Sequence, residues 1–183
     1  MNVDSCSIAF VGLGEAASTI ISGWGDERKK QIKAFDIKLQ SNDTREEIIS
    51  RASKLNIRVK SSLDELVKDA DLIFSTVTAE QAFKVAKDSS LFLKENVYFF
   101  DLNSCAPSSK KKSCESIEKN GGYYIDVAVM APVYAKKHLV PLLISGDKAS
   151  HAHAILEKLP MDIKIIEGPV GRASSIKMVR SIL

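Results

Sequence analysis

The stretch FVGLGEAAST, Phe10 to Thr19, sets two glycines two positions apart and a small residue three further on. Gly12, Gly14 and Ala17 make a G-x-G-x-x-A pattern in which each position has a physical task. A glycine at 12 permits a tight turn, and one at 14 lets the backbone approach a pyrophosphate. A small side chain at 17 lets a following helix pack closely on the strand before it. The helix N-terminus then offers free N–H groups and its positive dipole end to phosphate. Gly12, Leu13, Gly14, Glu15 and Ala16 are therefore a candidate dinucleotide cradle. Such a loop also serves as a plain structural turn, so its context decides. Asp36 lies 19 residues beyond Ala17, close to the ~20 expected of an acid that bonds the adenosine ribose hydroxyls. A carboxylate there accepts from the ribose of NAD and repels the 2′-phosphate of NADP. Lys38 softens that preference, and Glu15 makes the loop less welcoming to phosphate. NAD is the expected cofactor, with NADP left open.

Apolar runs at 7–13, 32–37, 57–60, 71–77, 97–102 and 162–168 predict strands, as do GGYYIDVAVM and LVPLLISG. Helical stretches lie between them. Thr44 with Glu47, Ser62 with Glu65, and Thr78 with Gln81 have capping-box spacing. Pro107 suits a first helical turn, Asp147 an N-cap, and a last helix runs from about Gly171. Strand and helix alternating from the start imply an α/β fold: a doubly wound, mostly parallel Rossmann-type sheet with helices on both faces.

The chain has 183 residues, 45% of them apolar and 27% charged, as in an ordinary globular domain. A net charge of +3 is too mild to point to nucleic acid. The run Lys110 to Lys112 reads as a solvated helix face. Cys6, Cys105 and Cys114 are an odd, widely spaced set, expected to be reduced thiols of a cytoplasmic protein. Neither a leader pattern nor an apolar run of the ~20 residues that cross a bilayer is present, so no membrane contact is expected. His151 and His153 point to different helix faces and make a poor metal pair, and His138 reads as a surface residue.

Three later blocks, DLNSCAP (Asp101 to Pro107), DVAVMAP (Asp126 to Pro132) and EGPVGRASSIKMVRS (Glu167 to Ser181), complete a family pattern. With the glycine loop they resemble the β-hydroxyacid dehydrogenases, which include 3-hydroxyisobutyrate and 6-phosphogluconate dehydrogenases. The resemblance implies that Val77 and Thr78 flank the ribose and nicotinamide, and that Ser104 sits near nicotinamide and substrate. It places a catalytic lysine at Lys177, in a helix marked by Gly168, Gly171 and Ala173. Ser181 shares a helix face with Lys177 and replaces the substrate-orienting asparagine usual there. Met130, Ala131 and Pro132 replace a serine-glycine-glycine that grips the substrate carboxylate. Pro132 has no N–H and Met130 no hydroxyl, so Met130 and Ala131 imply a different grip.

The implied activity is hydride transfer between a small β-hydroxy acid and nicotinamide, with Lys177 as general acid and base. A lysine ordinarily titrates near ~10.4, whereas a useful base needs ~7–8, so Lys177 must be partly desolvated or lie beside a cation. Residues 1–168 are expected to form the NAD(P)-binding domain, and 169–183 to begin a helix leading into a helical domain beyond this sequence. The resemblance implies a homodimer for the full-length protein. Alone, the chain is expected to bind cofactor, turn over little and expose apolar surface on its last helix. Two other readings keep the same fold: a non-catalytic dinucleotide-binding module, and an imine-type reductase, in which the lysine is normally replaced.

Overall fold

The computed structural model describes residues 2–182. The chain begins with β1 (Ile8–Val11), α1 (Glu15–Gly23), α2 (Asp26–Lys29), β2 (Ile32–Phe35) and α3 (Asn42–Leu55). It continues through β3 (Arg58–Val59), α4 (Leu63–Val67), β4 (Leu72–Ser75), α5 (Ala79–Ser90) and β5 (Tyr98–Asp101). Then come α6 (Pro107–Lys119), β6 (Tyr123–Val129), α7 (Val133–Lys136) and β7 (Leu142–Ser145). The last elements are α8 (Ala149–Lys158), β8 (Ile163–Ile165) and α9 (Arg172–Ile182). The strands form one sheet in the order β3-β2-β1-β4-β5-β6-β7-β8. Every pairing is parallel except β6 with β7. This is the expected doubly wound sheet, whose chain order reverses direction between β1 and β4. In such folds, ligands bind beyond the carboxyl ends of the strands at that reversal.

The register explains why so short a set of strands is stable. Phe10, Phe74 and Phe100 are partners across β1, β4 and β5, so their rings share one face. Phe10 and Phe74 stack at 5.0 Å, Phe74 and Phe100 at 4.9 Å, and Trp24 packs edge-on against the first two. Burying aromatic rings of this size supplies much of a domain's apolar driving force. Phe99 and Tyr124 stack on the opposite face. With both faces covered, the central strands read as continuous apolar runs.

Several helix starts differ from the sequence expectation. A single 3₁₀ turn at Ile37–Gln40 delivers the chain early, so α3 begins at Asn42 behind Ser41. Thr44 is then already inside the first turn, and its Oγ1 donates to the Lys38 carbonyl at 2.8 Å instead of capping. Ser62 does cap α4, accepting from the Glu65 N–H at 3.5 Å. Thr78 occupies the N-cap of α5 without a side-chain bond. Asp147 is not the N-cap of α8; Lys148 is, because a turn closes from the Gly146 carbonyl to the Ala149 N–H.

Two further expectations fail for reasons of helix phase and packing. Lys110 shares the inner stripe of α6 with Ser113 and Ile117 and is fully buried, while Lys111 and Lys112 are exposed. His138 lies in a 3₁₀ turn packed on α1, its ring 6.4 Å from Trp24, and is only partly exposed. Burial and neighbouring Lys137 push its pKa below the ordinary range. All three cysteines are free, and burial raises each thiol, Cys114 to about 12. Among the described residues no group of acidic, histidine or cysteine side chains could hold a metal, and no helix is long and apolar enough to cross a membrane.

Candidate functional site

The glycine loop sits at the carboxyl end of β1. Gly12 has φ +88°, and a Cβ there would lie 2.5 Å from the Thr76 carbonyl oxygen, so only glycine fits. At Gly14 a Cβ would meet nothing within 4 Å, which leaves open space above the backbone for a ligand. Ala17 is completely buried against the strand. The first closed turn of α1 is the Ser18 N–H to the Gly14 carbonyl at 3.0 Å. Amides ahead of it are those a helix N-terminus offers to an anion. Glu15 and Ala16 are exposed on this end.

Asp36 closes one side of the loop. Its Oδ2 accepts from the Leu13 N–H at 2.9 Å and its Oδ1 from the Lys38 N–H at 3.0 Å. The carboxylate therefore fixes the loop while each oxygen keeps a lone pair for a further donor. Arg51 of α3 donates to the Leu13 carbonyl at 2.6 Å. Arg51 and Lys38 are both paired to Glu47, at 2.6 and 3.3 Å. No local pattern marks Arg51, which reaches the loop from 38 positions away.

Contacts then run from the loop across the sheet. Thr76 Oγ1 donates to the Gly12 carbonyl at 2.9 Å. The Val77 N–H donates to Asn103 Oδ1 at 2.6 Å, and Asn103 Nδ2 donates to Ser75 at 2.9 Å. The loops after β1, β4 and β5 are thereby tied into one rim. Next to Asn103, Ser104 accepts from Lys177 Nζ at 2.7 Å. A cavity of about 590 Å³ opens here, lined by Glu80, Ser104, Cys105, Ser174, Lys177 and Ser181 among others. Desolvation, and after it the charge of Lys110, push Lys177 below the ordinary lysine range.

The substrate candidates are only partly united. Ser104, Lys177 and Ser181 share the cavity, Ser181 donating back to the Lys177 carbonyl at 2.9 Å. Ala128, rather than Met130 or Ala131, represents β6 in its lining. The Met130 carbonyl instead accepts from Arg180 at 3.3 Å, and Ala131 packs against the core. Pro132 caps α7. Met178 and Val179 stand exposed on α9, as expected of the last helix.

The family model described as NADP oxidoreductase, coenzyme F420-dependent, matches residues 7–98. The chain belongs to this family. The matched residues hold the glycine loop, Asp36, Val77 and Thr78, whereas Ser104 and Lys177 lie beyond them. An uncharacterized 28.5 kDa protein of Methanothermus fervidus is 30% identical over 96% of the chain and 64% of its own length. A conserved hypothetical protein from Sinorhizobium meliloti 1021 superposes with a TM-score of 0.91 at 29% identity, over 100% of this chain and 61% of its own. MTH1747, a protein of unknown function described as similar to 3-hydroxyacid dehydrogenases, gives 0.76 at 26%, over 95% and 62%. Mycobacterium tuberculosis 3-hydroxyisobutyrate dehydrogenase and imine reductases share the fold at 20% identity or less. The family member therefore has the nicotinamide-dinucleotide-binding fold of an oxidoreductase, and spans under two thirds of these relatives' length.

Proposed function

We propose that the chain is the dinucleotide-binding part of an oxidoreductase that moves hydride between a small β-hydroxy acid and NAD, with Lys177 as the proton-transfer group. Residues 1–168 would bind the dinucleotide, and 169–183 would begin the helix that joins this domain to the rest of a longer, homodimeric enzyme. The carrying observation is the single rim that links the Gly12–Ala16 loop, through Val77 and Asn103, to Ser104 and Lys177.

The residues present fit a dinucleotide: glycine where a Cβ would strike backbone, open space at Gly14, and a helix end for the pyrophosphate. Asp36 would accept from the adenosine ribose hydroxyls, with Val77 and Thr78 flanking the second ribose. A nicotinamide held there would supply the hydride acceptor or donor. Lys177 receives the proton of the substrate hydroxyl in the oxidising direction and returns it to the carbonyl oxygen in the reducing one. A partly desolvated amine suits that work, because neutral Nζ has a lone pair free to take the proton. Ser104 holds Nζ at the cavity wall, and Ser181 would contact the rest of the substrate, with Met130 and Ala131 outside the cavity lining.

A second reading of the cofactor has its own support. Lys38 and Arg51 meet at Glu47 beside the Asp36 loop, and both are cations that a 2′-phosphate could draw away from that carboxylate. Titration with NADH and NADPH, followed by cofactor fluorescence, separates the two. Tighter NADH binding is expected. Failure of both to bind below millimolar concentration would sink the dinucleotide reading. In the full-length enzyme, Lys177→Met is expected to abolish turnover while sparing cofactor affinity, and undiminished turnover would remove Lys177 from its role.

A further inference from the structure

Behind Lys177 lies a buried polar cluster that the proposed chemistry does not use. Asp101 ends β5, and its register partner on β6 is Asp126. Both are fully buried, as is Lys110, which enters between them from the second turn of α6. Lys110 Nζ donates to the Asp101 carbonyl at 2.6 Å and to Asp101 Oδ1 at 3.0 Å, with Asp126 Oδ1 at 3.5 Å. Tyr124 completes Asp101 by donating to its Oδ2.

Each carboxylate also grips a segment that carries a site residue. Asp101 Oδ1 accepts from the Asn103 N–H at 2.9 Å and so shapes the loop that presents Ser104. Asp126 Oδ2 accepts from the N–H groups of Gly171 and Ser174 at 3.0 and 3.1 Å, and its Oδ1 from Ser174 Oγ at 2.5 Å. Asp126 therefore caps α9 from the sheet, one turn ahead of Lys177. Gly171, at φ +95°, lies so close to Pro107 that a Cβ there would stand 3.1 Å from the Pro107 Cβ, so the starts of α6 and α9 are neighbours.

We infer that Lys110 is a positioning residue for the Lys177 site, its ammonium locking the Ser104 loop and the start of α9 to the ends of β5 and β6. Two adjacent buried carboxylates would repel each other without a cation between them, and among the described residues the lysine of α6 supplies it. The same charge acts on Lys177; Asp101 and Asp126 flank Lys110 itself, and Glu80 also lines the cavity of Lys177. Arg180, on the helix that carries Lys177, is turned to the Met130 carbonyl.

This inference rests on the reading of Lys177 as the proton-transfer group, but its test needs no turnover. The rate of acetic anhydride labelling at Lys177, followed against pH by peptide mass spectrometry, gives the midpoint of that amine in the chain itself. In Lys110→Met/Asp101→Asn, which removes one charge of each sign, the midpoint should rise by about half to one pH unit toward the ordinary lysine value. In Lys110→Arg, which keeps the cation, it should stay at the wild-type position. NADH titration of the same variants should be unchanged, which separates this result from any failure of the dinucleotide reading. A folded double variant whose Lys177 titrates as in the wild type would overturn the inference. So would a folded Lys110→Arg chain with the raised midpoint, or loss of fold in both variants, since Lys110 would then be structural only.

Discussion

The two ends of the candidate site are built by opposite means. Around Gly12 the chain uses backbone, small residues and a helix terminus, and its specificity is a matter of what is absent: no Cβ at 12, none at 14, nothing large at 17. Around Lys177 it uses what is present, a fully buried lysine and two aspartates holding three segments together. The first device makes room for a ligand. The second fixes a side chain, and it is costly when disturbed because a lone buried charge has no solvent to turn to.

That contrast sets the expected order of damage. Lys110→Met should cost about 3–5 kcal/mol, since it leaves both carboxylates uncompensated. Urea denaturation reads this directly, and a loss below ~1 kcal/mol would mean that the cluster is not the rigid centre described here. Gly12→Ala should cost about 2 kcal/mol, from a left-handed φ and a Cβ pressed on the Thr76 carbonyl, and should abolish NADH binding. Gly14→Ala sharpens the comparison, because its Cβ meets nothing in the free chain. Its stability should stay within ~0.5 kcal/mol of wild type, while NADH affinity falls at least about tenfold if the pyrophosphate lies there. Equal affinities would move the phosphate away from Gly14.

The smallest effect concerns pH. Lys177 is depressed in the folded chain and ordinary when unfolded, so between the two values the unfolded state binds more protons. Folding stability contributed by this group therefore rises with pH through that window, which ends near ~10.4. Wild type should gain on Lys177→Met as the pH climbs from neutral, by well under ~1 kcal/mol because solvent screens a partly exposed amine. Parallel denaturation series on the two chains would show it, and a difference that does not change with pH would contradict the desolvated amine.

The glycine-loop end was readable in the sequence because its logic is local. Turn, helix start and acid follow one another within Gly12 to Asp36, and continuous apolar runs mark the strands of the sheet. What escaped was whatever depends on which segments the fold brings together. Lys110 stood in a run of three lysines, and charge alone suggested solvent. Its helical phase with Ser113 and Ile117 was the available sign that it faces inward. Asp101 and Asp126 were visible as parts of motifs, yet their pairing exists only because β5 and β6 lie side by side in that register. Arg51 carried no local mark at all. The Thr44 box failed because the 3₁₀ turn before α3 shifted the helix start upstream, a change of phase that spacing cannot reveal.

The aromatic column of the core has one more consequence. Trp24 is the molecule's sole indole, and it closes the helix that the glycine loop opens, with the His138 ring 6.4 Å away. An imidazolium beside an excited indole withdraws its energy, whereas the neutral ring does so weakly. Emission from this tryptophan should therefore dim as acid protonates His138, below the usual histidine range because the ring is desolvated. The domain thus contains its own optical gauge of how firmly α1 is seated.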